Sequence, residues 1–170
     1  KRAFAVLEDM RVAQLKELGL PELIPAIDAL SDLTTKWSTR KPCTDPYSPK
    51  KFEEIEYDEP LSPYQKLMHK HCRKDAMDSM RLARHGDEVR ERFARILKEC
   101  PRGVRMNDAN REQYGTKKHR VFPMDAWSPA PTITTLPDDV LHYSEPRILT
   151  VRESARLQSF PDWFHFRGKF

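Results

Sequence analysis

The chain has 170 residues, 38% of them hydrophobic and 33% charged, with a formal net charge of +4. That length argues for one domain with room for a real core, and the charged fraction is high for a compact unit. No run of residues reaches the length of a membrane span, and Glu8, Asp9 and Arg11 interrupt any signal-peptide core at the start. Three irregularly spaced cysteines, Cys43, Cys72 and Cys100, point to free thiols in a reducing cytoplasm.

In chain order, the first half reads as helical. Residues 3–18 place Phe4, Leu7, Met10, Val12, Leu15 and Leu18 at mixed three- and four-residue spacings, ended by Gly19 and Pro21. Ala26 to Leu33 makes a second, short helix, and residues 34–60, rich in Pro, Thr and Lys, read as loop. Ser62-Pro63 supplies a cap and a first-turn proline for a helix reaching about Arg73. Asp87 is placed to cap the clearest helix, whose stripe is Val89, Phe93, Ile96, Leu97 and Cys100, ended by Pro101 and Gly103.

The second half changes character. Val121-Phe122, the Thr132-Ile133-Thr134-Thr135 run and Tyr143 to Leu149 are β-prone and separated by prolines, which predicts short strands. Thr150 and Glu153 form a capping box that starts a helix from Val151 to about Ser159, stopped by Phe160-Pro161-Asp162. Trp163, Phe164 and Phe166 alternate, as in a short buried strand or an aromatic docking face. The expected fold class is α+β: a helical first half, then a small irregular β-rich part ending in a short capped helix.

Charge is unevenly placed. Residues 101–122 hold six basic residues (Arg102, Arg105, Arg111, Lys117, Lys118, Arg120) against two acidic ones, and residues 36–51 hold five (Lys36, Arg40, Lys41, Lys50, Lys51) against Asp45 alone. Such stretches either neutralise phosphates or are solvated loops. His69, His71, Cys72, His85 and Cys100 match no structural zinc spacing, so no metal is expected, and Asp138, Asp139 and Glu145 read as a solvated turn. Arg152 and Arg156, four apart, share a helix face, which by pattern alone is a solvated basic face.

The string Arg147-Ile-Leu-Thr-Val-Arg152-Glu153-Ser-Ala-Arg156-Leu-Gln-Ser-Phe160-Pro161-Asp162 resembles the ninth conserved motif of DNA (cytosine-5-)-methyltransferases. Ser128-Pro-Ala-Pro131-Thr132-Ile133-Thr134-Thr135 resembles the Pro-Thr-Ile-Thr stretch that precedes it, and His142-Tyr-Ser-Glu-Pro-Arg147 the link between the two. The likeness is close over residues 119–168. It extends more thinly to Ala26–Leu33, Ser62-Pro-Tyr-Gln and Arg84–Phe93.

The resemblance implies the DNA-recognition portion of an enzyme that transfers a methyl group from S-adenosylmethionine to C5 of a cytosine turned out of the duplex. Residues 1–170 are expected to form one target-recognition domain: a helical lead-in over 1–33, a variable region over 34–118, and strands plus the motif helix over 119–170. Lys117, Lys118, Arg120, Ser128, Thr132 and Thr134 are the expected DNA contacts, with Thr134 beside the backbone. Arg147, Arg152, Glu153 and Arg156 are expected to organise the domain through arginine–carboxylate hydrogen bonds. No catalytic residue is expected, because the family's glycine-rich loop, Glu-Asn-Val and Gln-x-Arg-x-Arg elements do not occur, and Pro42-Cys43 continues into Thr44 rather than Gln. The tenth motif is also missing.

The expected partners are therefore double-stranded DNA and a catalytic domain of the same protein. That domain would bind the cofactor, and this portion would be inert alone. A bacterial cytoplasmic enzyme, of the kind paired with restriction enzymes, is the expected source. The alternative is a non-catalytic DNA-binding or interaction module with the same fold, which would bind DNA by itself with a steep salt dependence.

Overall fold

The computed structural model describes residues 2–35, 39–73, 76–116, 121–134 and 139–166. Helices α1 (Arg2–Glu17) and α2 (Ala26–Leu30) come first, and α2 runs into a 3-10 turn over Ser31–Leu33. Strands β1 (Arg40–Pro42) and β2 (Glu53–Ile55) follow, then α3 (Pro63–His69), α4 (Asp87–Glu99) and α5 (Asp108–Gln113). Strands β3 (Phe122–Pro123) and β4 (Val140–Leu141) precede the last helix, α6 (Val151–Leu157). The mixture of helices with two small two-stranded sheets is α+β. No helix among the described residues is long and apolar enough to cross a membrane.

Two apolar clusters hold the elements after α1. The larger gathers Ala26, Ala29, Leu30 and Leu33 with Ile55, Tyr57, Tyr64, Met68, Met80, Met124 and Leu149. Alanines on α2 let both α3 and α6 pack against it. Polar bonds fix the α2–α3 approach. Ser62 and Gln65 form a reciprocal capping box, and the same groups reach across, Ser62 Oγ donating to Asp28 O at 2.5 Å and Gln65 Nε2 to Ser31 Oγ at 2.8 Å. The smaller cluster joins Ile96 and Cys100 of α4 to Met106, Tyr114, Val121 and Leu141.

Several local expectations change. The 34–60 segment is not all loop: β1 and β2 pair antiparallel, with Arg40 opposite Ile55. The hairpin was hidden because each strand has three residues and proline and lysine dominate between them. α3 stops at His69, since Lys70 leaves helical geometry and His71 takes φ 70°. Asp87 is the first residue of α4 rather than its cap; Gly86 holds that position, and no side chain caps it. α5 was not anticipated, although Asn107 caps it by accepting from Asn110 N at 2.8 Å.

Thr132–Thr134 form no strand, and Thr135 lies outside the described residues. The β pairing of that region comes instead from Val140 and Leu141, parallel to Phe122 and Pro123. Of Tyr143–Leu149, only Ile148 makes a bridge, to Leu141. Trp163, Phe164 and Phe166 form no strand either; Trp163 and Phe164 are exposed, and the Phe164 ring meets those of Trp163, Phe160 and Phe166.

Candidate functional site

Helix α6 is built from its first turn. Thr150 Oγ1 accepts from Glu153 N at 3.1 Å, and Thr150 N donates back to Glu153 Oε2 at 2.7 Å, which is the reciprocal capping box read from the sequence. At the other end Ser159 takes φ 61°, with Ser159 N donating to Arg156 O and Phe160 N to Ala155 O. This is a Schellman termination carried by serine instead of glycine. The serine also meets Tyr64 Oη at 3.1 Å, a contact glycine could not make.

Between these ends the helix buries its charges. Arg152, Glu153 and Arg156 are fully buried, so the solvated basic face that spacing alone suggests does not form. Arg156 donates to Asp162 through Nε and Nη2 at 3.1 and 2.6 Å, and through Nη1 to Asp32 at 2.5 Å and Ala29 O at 3.3 Å. Asp32 also accepts from Tyr57 Oη, and Asp162 pairs with His69 Nδ1 at 3.1 Å. One guanidinium thus ties the turn after α2 to the loop after α6, and α3 joins through His69. Burial raises the Asp32 pKa despite Arg156 and Tyr57, with Asp162 adding to the rise. Arg156 is raised, because its two carboxylates outweigh its burial.

Arg147 forms a second knot. It donates to Glu153 at 2.8 and 2.7 Å and to Glu145 at 2.6 Å. Glu145 further accepts from Thr35 N at 2.5 Å, so it is a buried partner of Arg147 and not part of a solvated turn. Burial acts to raise Glu153, but Arg147, then His142 and the Thr150 N–H, hold it below the usual carboxylate range. Glu145 is lowered in the same sense, Arg147 prevailing over burial. His142, fully buried, accepts from Ser144 N and Glu145 N at Nδ1, which leaves its ring proton on Nε2, 3.6 Å from Glu153 Oε1.

Arg152 makes the third. It donates to Asp78 Oδ1 at 2.6 Å and Asp78 O at 3.0 Å, and to Phe164 O and Pro161 O beyond the helix. Its own amide donates to Ser79 O, where the chain takes φ 64°.

Of the expected DNA contacts, those among the described residues fall outside this knot. Lys117, Lys118 and Arg120 lie outside the described residues. Ser128 is half-buried, its Oγ donating to Asp125 Oδ2 at 2.6 Å and its carbonyl accepting from Ala26 N. Thr132 and Thr134 are exposed, while Ile133 between them packs on the core, so the two threonines lie on the open side of this run. Thr134 also lines a groove of about 450 Å³ between this run and α6, whose other walls include Ile148, Val151 and Phe160. Ser154 lines the same groove, its buried Oγ without a hydrogen-bond partner.

Sequence reasoning did not assign Asp32, Asp78, Glu145 or His142 to this network. For Asp32, His142, Glu145 and Asp162 a signal existed, since all lie in stretches quoted for the resemblance. Asp78 carried none. His69 is half-buried rather than a surface histidine, its ring tilted against Tyr57 with centroids 4.9 Å apart.

The whole of this arrangement lies within a match to the C-5 cytosine-specific DNA methylase family over residues 15–169, and the chain belongs to that family. Among curated proteins it is similar to DNA (cytosine-5)-methyltransferase CMT2 of Arabidopsis thaliana, 46% identical over 57 residues, which is 31% of this chain and 4% of that protein. A stretch of 28 residues is 62% identical to the type II methyltransferase M.XorII of Xanthomonas oryzae pv. oryzae, 16% of this chain and 7% of the relative. The rice CMT2 enzyme (Oryza sativa subsp. japonica) is 49% identical over 41 residues, 22% of this chain and 3% of the relative. The matched stretches therefore span small parts of much longer proteins. No solved structure matches.

Proposed function

We propose that this chain is the DNA-recognition portion of a DNA (cytosine-5-)-methyltransferase, gripping the duplex while the rest of the enzyme methylates a cytosine turned out of the stack. The observation that supports it most is the family match over residues 15–169, with the motif residues Arg147, Arg152, Glu153 and Arg156 spent on buried ion pairs rather than on chemistry. Arg147, Arg152, Glu153 and Arg156 then act as the frame of residues 1–170, and Thr132 and Thr134 stand on the open run beside it, with the half-buried Ser128 ahead of them. Threonine hydroxyls there suit phosphate oxygens, while Arg120 suits guanine O6 and N7 and Lys117 and Lys118 suit phosphates.

S-adenosylmethionine, the methyl donor the family reading implies, does not fit the residues described. Among the described residues Gly19, Gly86, Gly103 and Gly115 lie far apart in the chain, so they do not make the glycine-rich loop that cradles such a cofactor. In this reading the cofactor and the cysteine nucleophile belong to the rest of the enzyme, and this portion has no methylating activity alone. A bacterial enzyme of this kind would work in the cytoplasm. The bacterial relative supports the restriction–modification source expected from the sequence; the two plant relatives weigh against it.

The test uses the full-length protein. Arg120→Ala should lower duplex affinity or blur the methylated sequence, with the fold intact. An unchanged affinity and methylation pattern would remove Arg120 from the interface.

A further inference from the structure

A second cleft, of about 900 Å³, opens between the β1–β2 hairpin and the start of α4, and its floor is the outer side of the Arg147–Glu145 pair. The sequence places these walls far apart, and hydrogen bonding brings them together. Leu82 N donates to Glu53 O at 2.8 Å, Ile55 N donates to Met80 O at 3.2 Å, and Glu54 bridges Arg81. The 80–82 segment is therefore a third, antiparallel edge on the hairpin, and the residues after it are carried over the cleft. Arg81 stacks on Phe52 at 4.6 Å, and Ile148 N donates to His85 Nε2, which pins the same segment at both ends.

The cleft's charges do not cancel. Among the described residues it is lined by five cations, Arg40, Lys51, Arg84, Arg90 and Arg147, against three carboxylates. Each carboxylate already has a guanidinium: Glu53 has Arg40 at 3.8 Å, Asp87 has Arg90 at 3.7 Å, and Glu145 has Arg147 at 2.6 Å. Lys51 and Arg84 remain, exposed and without an ion pair among the described residues. They face a cleft backed by Leu82 and Ala83, and a low-dielectric wall behind surplus charge focuses the field outward.

We propose that this cleft is a docking site for the DNA sugar–phosphate backbone, with Lys51 and Arg84 as its phosphate contacts. The proposal rests on the DNA-recognition reading above and adds a surface that reading does not use. Exposed cations on hairpin and loop, held by no second hydrogen bond that would fix a bidentate geometry, suit phosphates rather than base edges, so the cleft positions the duplex without reading it. Its contribution is the same for every sequence and falls with salt.

The experiment measures binding of the full-length protein to a duplex across a salt series, together with the methylated sequence. Each phosphate contact contributes about 0.9 to the slope of log K against log salt, so Lys51→Gln with Arg84→Gln should flatten the slope by about 1.8. The methylated sequence should stay the same, and Lys51→Arg with Arg84→Lys should keep the wild-type slope. Both residues are exposed, so folding is not at stake. A double glutamine variant with the wild-type slope would overturn the cleft and leave the recognition reading standing. A changed methylation pattern would overturn the assignment to phosphate. A wild-type protein with no salt-dependent duplex binding would overturn the recognition reading and the cleft together.

Discussion

Helices α6 and α1 treat burial in opposite ways. The seven residues of α6 carry two arginines and a glutamate that are sealed from solvent, whereas the sixteen of α1 carry Phe4, Leu7 and Met10, which are 80, 61 and 63% exposed. Hydropathy alone would assign them the other way. In α6 each charge meets a partner brought from elsewhere in the chain: Asp32 and Asp162 for Arg156, Asp78 for Arg152, Arg147 for Glu153. In α1 the apolar residues are spread around the helix rather than gathered in a stripe, and its visible ion pairs, Arg11 with Glu8 and Glu22, are on the surface. The lesson is that a side chain is buried where the fold supplies its complement, not where its hydropathy is high.

The contrast breaks most sharply at Arg156. Arg156→Ala strands two buried carboxylates, which costs about 3–5 kcal/mol in comparable pairs. Chemical denaturation should show that loss, and a change under 1 kcal/mol would make the pairing incidental. Glu153→Gln is next. It removes a charge from a set in which Arg147 keeps Glu145, so roughly 1.5–3 kcal/mol at neutral pH is expected from the charged hydrogen bonds weakened.

The same substitution sharpens the pH dependence. Glu145 and Glu153 are depressed in the folded chain, so their stabilisation is present above the ordinary carboxylate value of 4.5 and is lost as pH falls through their lower folded values. Asp32 is raised and acts oppositely, favouring the folded state as pH falls through its own pKa. Acid titration of wild type should therefore show stability falling mainly below pH 4.5, and Glu153→Gln should flatten that fall. An equally steep fall in the variant would place the acid sensitivity elsewhere.

The smallest effects come from the other side of the comparison. Leu7→Ala on α1 should change the stability of the 170-residue chain by no more than about 0.5 kcal/mol, since little contact is lost. Ser154→Ala on α6 should be neutral or slightly stabilising, because its Oγ has no partner to forfeit. A loss near 2 kcal/mol by differential scanning calorimetry at either position would show contacts that the fold as described lacks.

The sequence carried the local half of this picture. The cap at Ser62 and the four-residue capping box at Thr150 were legible, whereas the return bond from Gln65 that completes a box at Ser62 was not read. The stripe of α4 was legible too, although only Ile96 of its helical residues is fully enclosed. What sequence spacing could not carry were the partners: Arg156 meets Asp32 across 124 residues and Arg152 meets Asp78 across 74. Strands of two or three residues leave no alternation to detect, which is why β1, β2 and β4 were missed or displaced. The basic stretch at 36–51 was visible, but the cleft it makes with Arg84 exists only through the 80–82 edge on the hairpin.

The account's central claim is that the motif arginines frame the fold through buried pairs. Its most direct test compares the unfolding free energies of Arg156→Met, of Asp32→Asn with Asp162→Asn, and of all three changes together. The account predicts that either partner set alone is strongly destabilising and that the triple variant recovers most of the loss, because no buried charge is then left unpaired. Additive losses in the triple variant, or a near-wild-type Arg156→Met, would contradict it.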